Sequence, residues 1–354
     1  MNRLTDTFLK LVQIDSPTGD ESVVSDFVSQ KLLALGLEVV KDNYGNIVAR
    51  LGANNKPVLL TAHLDTVEPG RGVKPIIVNG IIKTSGDTIL GADNKVAVAI
   101  ILETIERLTE IKEDISVEVV FTLSEEVGNY GAVNLDYSLL KSKVGYSFDS
   151  EGEIGTIITA SPYYDRFDIE ISGKSAHASQ PENGINALKI LNNVLNRITL
   201  GKVDEDTIAN IGVVSGGSVR NTILGNLKIN GEVRSFVEEK IKNTTEFIVN
   251  VFKDEARKME ANIDIDVVRE NPGFKFSKDE AVIKNAINVF NKMKINPVLK
   301  ESYGCYDGNI FIGKNIKVLN MCDGSKYSHT VDEQISLENL YKIAEVAYNL
   351  VLSI

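Results

Sequence analysis

Three histidines occur in the 354 residues, and each lies in a short segment that could do chemistry. His63 sits in Thr61-Ala62-His63-Leu64-Asp65-Thr66-Val67, His177 in Gly173-Lys174-Ser175-Ala176-His177-Ala178-Ser179, and His329 in Tyr327-Ser328-His329-Thr330-Val331-Asp332-Glu333. The apolar run Pro57–Thr61 reads as a buried strand with His63 and Asp65 at its carboxyl end. Alternate residues of an extended segment face the same way. A metal-bound imidazole usually donates its second N–H to a carboxylate or carbonyl, and Asp65 suits that role. Gly91-Ala92-Asp93-Asn94-Lys95 stands just before a helix, so Asp93 is either an N-cap or a ligand. Ser124-Glu125-Glu126-Val127-Gly128 ends the apolar strand Val119–Leu123. That pair is either a solvated edge, or the ligand and the general base of a site where a metal activates water. Asp149, in Tyr146-Ser147-Phe148-Asp149-Ser150-Glu151, ends another strand, and His329 follows the strand Lys317–Cys322 across a glycine-containing loop. Two imidazoles and five carboxylates (Asp65, Asp93, Glu125, Glu126, Asp149) are thus expected on one face of one sheet. Uncompensated, such acids repel and raise each other's pKa, and two divalent cations relieve that.

The elements that must hold these groups alternate. Leu4, Phe8, Leu11 and Val12 have helical spacing, as do Val23, Val24, Phe27, Val28, Leu32 and Leu35, with Asp20 expected as N-cap and Gly36 as C-cap. Strands are expected at Leu37–Val40, Asn46–Leu51, Pro57–Thr61, Ser116–Ser124 and Val144–Phe148, with a helix over Lys95–Leu108. Alternation of this kind predicts an α/β domain with a mixed, mostly parallel sheet. Ligands of such sheets bind outside the carboxyl ends of the strands. From Tyr163 the order becomes strand, helix, strand, strand, helix, strand (Tyr164–Ile171, Gly184–Ile198, Thr207–Val214, Ile223–Phe236, Glu238–Met259, Asn262–Val268), which is the ferredoxin-like α+β unit. After Asn271-Pro272-Gly273 the first pattern resumes, with helices over Asp279–Met293 and Leu337–Leu350 and strands at Pro297–Ser302 and Lys317–Cys322. The expected division is 1–162 plus 273–354 as one domain, with 163–272 inserted into it.

Composition bounds the partners. Apolar residues make up 43% and charged residues 25%, which is ordinary for a globular protein. A net charge of -11 argues against a nucleic-acid partner, which needs a concentrated basic surface. The longest uncharged run, Thr207–Val219, holds three glycines and falls short of the ~20 apolar residues of a spanning helix. The first residues carry no signal-peptide core. Two cysteines, Cys305 and Cys322, make no disulfide framework. The expectation is a cytoplasmic protein without a membrane partner.

In order and content these segments resemble the di-zinc exopeptidase and deacylase family that includes peptidase T, carnosinase and acetylornithine deacetylase. The resemblance runs over essentially the whole chain. It rests on His-x-Asp-Thr-Val, Gly-Ala-Asp, the Glu-Glu pair, Gly-x-x-Ala-His-Ala and the late His-Thr. It implies His63 and Asp149 on one metal, Glu126 and His329 on the other, and Asp93 between them, with Glu125 as general base and Asp65 orienting His63. It implies two divalent ions, zinc first, with cobalt or manganese also compatible. It makes the inserted domain a lid and dimerisation domain, places His177 near the oxyanion, and gives Arg220, Asn221 and Arg234 to the substrate's carboxylate end. Taken alone, His177 is an ordinary loop residue and the arginines are strand charges. A late Arg-Gly-Gly-Thr/Ser-Asp segment of the family is replaced here by Tyr303-Gly304-Cys305-Tyr306-Asp307-Gly308-Asn309, of which Asp307 and Asn309 keep the character of substrate contacts. Asn94 stands where many members have a second Asp, and a strained or cis peptide is expected after Asp93. Asp rather than Glu at position 149 resembles the peptidases that read a free amino terminus. The resemblance therefore implies a tripeptidase-like aminopeptidase acting on short peptides. The competing readings are an N-acyl amino-acid deacylase or carboxypeptidase with the same metals, and a metal-free binding protein that has lost catalysis.

Overall fold

The computed structural model describes residues 2–53, 56–111 and 115–353. The chain divides into two compact units, one of residues 1–159, 276–302 and 306–354, the other of residues 160–275 and 303–305. The short return of Tyr303–Cys305 to the second unit was not expected from sequence.

In the first unit, four strands lie side by side in parallel: Val117–Thr122, Val58–His63, Val144–Ser150 and Lys317–Cys322. Their largely apolar sequences suit strands covered on both faces, and every residue of Val58–His63 and Val117–Thr122 is buried, Glu118 among them. Ile47–Leu51 and Glu38–Lys41 extend one side antiparallel, and Thr156–Ser161 meets Lys317–Cys322 antiparallel on the other. The helix Ala92–Thr109 crosses from Val58–His63 to Val117–Thr122 and packs with Arg3–Val12 and Leu337–Leu352. A further cluster joins Leu59, Val120 and Val318 of the sheet to Ala132, Ile310 and Phe311. Removing a buried ring such as Phe311 would cost about 3–5 kcal/mol. The chain runs from Val58–His63 to one neighbour and then crosses to the other. That reversal leaves a crevice at the carboxyl ends of these strands.

Several elements were not read from sequence. Pro75–Val78, Ile81–Thr84, Gln334–Ser336 and Ser325–Lys326 form a small antiparallel sheet, and its last hairpin carries His329. Asp307–Gly313 is a helix. The helix Ser22–Ala34 is not capped by Asp20: its N-cap is Glu21, whose side chain makes no capping bond. The second unit has strand order Gly201–Lys202, Thr207–Gly216, Asn226–Ser235, Tyr163–Ser172, Asn262–Asn271, all antiparallel. Helices Ala187–Leu195 and Glu238–Lys258 share one core with this sheet, built on Phe167, Ile169, Ile229, Ile190, Val194 and Phe252. Among the described residues, no helix is long and apolar enough to cross a membrane.

Candidate metal centre

The strand ends bring the expected residues together. His63 is the last residue of its strand and is buried. Its Nε2 lies 3.2 Å from Asp93 Oδ1 and 3.5 Å from Asp149 Oδ1. His329 Nε2 lies 3.3 Å from Asp93 Oδ2 and 3.1 Å from Glu126 Oε1. Asp93 therefore offers one oxygen to each imidazole. Donor atoms bound tetrahedrally at about 2.0–2.1 Å stand about 3.3 Å apart. The four separations have that value, so the two sets, each one imidazole and two carboxylates, fit a divalent cation each. Borderline nitrogen and oxygen donors of this kind suit zinc and do not exclude its neighbours.

Asp65, expected to orient His63, faces its Nδ1 with the backbone carbonyl at 2.9 Å and the carboxylate at 3.3 Å. The carboxylate accepts the N–H of Glu125 at 2.9 Å, the N–H of Glu126 at 3.1 Å and the Thr18 hydroxyl at 2.7 Å. Glu21 accepts the N–H of Ser124 at 3.1 Å. Three consecutive backbone donors thus end on two buried carboxylates. Ser124 has φ +54°, a left-handed conformation unusual outside glycine. Asn94 follows a cis peptide and donates to Asp149 Oδ1 at 3.0 Å. Asn320 accepts the Asp149 N–H at 2.9 Å. Asn129 donates to Glu125 Oε1 at 2.9 Å and to Asp307 Oδ1 at 3.2 Å, and Thr122 donates to Asp307 Oδ2.

Crowding sets the protonation of the metal-free cluster. Burial, with Asp149, Asp307 and Glu126 nearby, pushes the Glu125 carboxyl well above its usual range. Burial also raises Glu126 and Asp149. Burial opposes charge on His63, yet bonds to Asp149, Asp65 and Asp93 outweigh it and hold the imidazole protonated. Asp93 and then Glu126 push His329 up to about 10. Protons thus stand where cations would, and cation binding must expel them.

Other expected residues lie elsewhere. Asp307 and Asn309 are buried; Asn309 Oδ1 accepts the Tyr306 N–H at 3.2 Å, closing the start of the helix Asp307–Gly313, and Asp307 stands behind Glu125 through Asn129. They brace the site rather than line an opening, which corrects the substrate-contact reading. In the second unit, Arg234 donates to the Tyr303 carbonyl at 2.9 Å and to Glu232 at 3.1 Å and stacks 4.5 Å over Tyr164. Two of its three nitrogens are thus engaged, by Tyr303 and Glu232. His177 is exposed, with Nδ1 2.7 Å from the Ser179 hydroxyl, and the Asn221 carbonyl accepts the Ala178 N–H at 2.9 Å. Arg220 is exposed. Thr18, Glu21, Asn129, Asn320 and Glu333 were not found from sequence. Apart from Asn129, which stands four residues after Glu125, their partners lie tens to hundreds of residues away, and no local spacing marks them.

Comparison with known proteins agrees with this arrangement. Residues 59–353 match the model of peptidase family M20/M25/M40. The chain is 36% identical to the uncharacterized protein YqjE of Bacillus subtilis, over 97% of this chain and 96% of that one. The crystal structure of aminopeptidase PepT from Bacillus cereus superposes with a TM-score of 0.92 at 34% identity, covering 99% of this chain and 98% of that one. That of a tripeptidase from Staphylococcus aureus gives 0.94 at 34%, covering 99% and 97%. A fold matched over nearly its full length and a cluster of imidazoles and carboxylates at its strand ends lead to one conclusion: this chain is a peptidase of family M20/M25/M40.

Proposed function

We propose that the protein is a two-metal aminopeptidase that removes the first residue of tripeptides and similar short peptides. The observation that carries the metal reading is Asp93, whose two carboxylate oxygens each face a different imidazole at 3.2 and 3.3 Å. The choice of substrate leans on the aminopeptidase and tripeptidase at 34% identity. In this reading His63 and Asp149 hold one cation, Glu126 and His329 the other, and Asp93 both. When bound, the cations supply Lewis-acid activation of water and of the scissile carbonyl.

The chain's own residues do the rest. Glu125 takes the proton of the attacking water and hands it to the departing amine. Asn129 fixes one of its oxygens, and Asp65 fixes its backbone. Asn94 keeps an Asp149 oxygen turned toward His63. The same reading gives His177, Arg220 and Asn221 to the substrate and makes the working form a dimer.

A digest of one tripeptide, resolved by mass spectrometry, tests this. Release of the first residue, with no cleavage of the same peptide after amino-terminal acetylation, is expected. Cleavage of the acetylated peptide or of N-acyl amino acids alone, or release from the carboxyl end, would overturn the assignment in favour of a deacylase or carboxypeptidase.

A further inference from the structure

Glu333 is fully buried and lies four residues beyond His329, yet its partners are on another element. Its Oε2 accepts the Gly91 N–H at 2.6 Å and its Oε1 the Asp93 N–H at 3.0 Å, contacts spanning 242 and 240 residues. The helix Ala92–Thr109 needs such a partner. Its N-cap is Gly91, in the left-handed region at φ +73° and without a side chain to cap it. Asp93 and Asn94 are non-helical, so the first turn is irregular. The N-terminal N–H groups of a helix carry partial positive charge and favour a carboxylate.

On its own side, Glu333 is tied closely to His329. The Glu333 N–H meets the Thr330 carbonyl at 3.1 Å, and the Thr330 N–H meets that of Tyr327 at 3.2 Å. Tyr327 and His329 are both left-handed, at φ +62° and +64°. Such backbone is strained and persists only where its surroundings hold it.

We propose that Glu333 is a positioning residue that latches the start of the Asp93 helix to the His329 hairpin and so sets the separation of those two ligands. This rests on reading the cluster as a metal site. The consequence is asymmetric. His63 is fixed by its strand and by the Asp65 carbonyl, whereas His329 stands on a short hairpin. Loss of the latch should therefore open the Asp93–His329 edge and spare the Asp93–His63 edge. One cation should weaken while the other stays.

The test is a zinc titration, by competition with a chromophoric chelator, of metal-stripped wild type, Glu333→Gln and Glu333→Asp, alongside melting of the stripped proteins. The amide matches the shape of Glu333 but turns a donor toward one N–H; Asp falls one methylene short. We expect the wild type to bind two ions. Each variant should keep one at wild-type affinity and bind the second about 10–100-fold more weakly, the usual cost of losing an outer partner. Activity at limiting zinc should fall and recover as zinc is raised. Two unchanged affinities would overturn the latch, as would equal weakening of both ions together with a lower melting temperature of the stripped variants, which is how a merely structural residue behaves. A wild type that binds no divalent ion would instead bring down the metal reading, and the latch with it.

Discussion

Replacing Asp65 by Asn separates two accounts of how the site is held. The Asp65 carboxylate is buried and accepts from Glu125 N–H, Glu126 N–H and the Thr18 hydroxyl. Asn keeps one of the two oxygens. If its amide nitrogen faces Glu125, one buried backbone donor loses its acceptor; if it faces Glu126, another does, while the Thr18 hydroxyl can turn to accept. In either rotamer one N–H is orphaned, at about 1–3 kcal/mol. A charge-assisted bond is lost as well, so the total should reach about 2–4 kcal/mol. For a unit of this size each kcal/mol moves Tm by about 2–4 °C, which predicts a fall of roughly 4–16 °C. The bond from His63 Nδ1 goes to the Asp65 backbone carbonyl and survives. Asp65→Asn should thus keep its His63-side cation while kcat falls tenfold or more, because the Glu125–Glu126 backbone loosens. Thermal melting, elemental analysis and steady-state kinetics on a tripeptide read these quantities. Unchanged Tm and kcat would refute the reasoning. Selective loss of the His63-side cation would return Asp65 to the role of orienting His63.

Three further outcomes follow from the same geometry. Glu125→Gln should lower kcat by about 10²–10⁴ while two cations stay bound, as elemental analysis would show; loss of a cation would move Glu125 into the ligand set. Asp93→Asn leaves one ligand oxygen where two cations need one each and removes the negative charge between them, so both cations should be lost or greatly weakened; two tightly held ions would refute the shared role. The third concerns pH. Without metal, His329 is raised from 6.5 to about 10 by Asp93 and Glu126, so at neutral pH it is protonated and cation binding must displace that proton. Affinity should climb with pH, by about tenfold per unit for each proton released, and level off above that value. Calorimetry in two buffers of different ionisation heat measures the release, and a net of zero would refute it. By the same linkage, the stability that protonated His329 lends the metal-free fold is complete below pH 6.5 and is lost as pH rises through about 10.

How much of this could be read from sequence depended on whether a signal was local. The central strands showed themselves as mostly apolar runs, with His63 and Asp149 at the ends of two of them and the Glu125-Glu126 pair just beyond a third. Boundaries moved by a few residues: the strand expected to stop at Thr61 continues through His63, and the helix expected from Lys95 is assigned from Ala92. The hairpin bearing His329 stayed hidden because its strands, Ser325–Lys326 and Gln334–Ser336, are too short to show a period. Glu21, unmarked in the sequence beside the expected cap Asp20, serves Ser124, 103 residues away. Asp307 and Asn309 had the chemistry of substrate contacts but lie buried at the foot of a short helix that the sequence did not reveal. Side-chain chemistry is visible in a sequence; the direction in which a side chain points depends on neighbours that may be hundreds of residues distant.

The strand Lys317–Cys322 lies beside Val144–Ser150, inside the sheet and not at its rim. A ribosome adding roughly 5–20 residues per second needs about 13–53 s to pass from His63 to His329. Once Val144–Ser150 has been made, one of its flanks lacks its final neighbour until Lys317–Cys322 follows, and the acid-rich patch stays short of its last imidazole until His329. In the two-metal reading, messages truncated between Cys322 and His329 yield products that hold every parallel strand of the sheet yet lack a ligand and should not cut peptides.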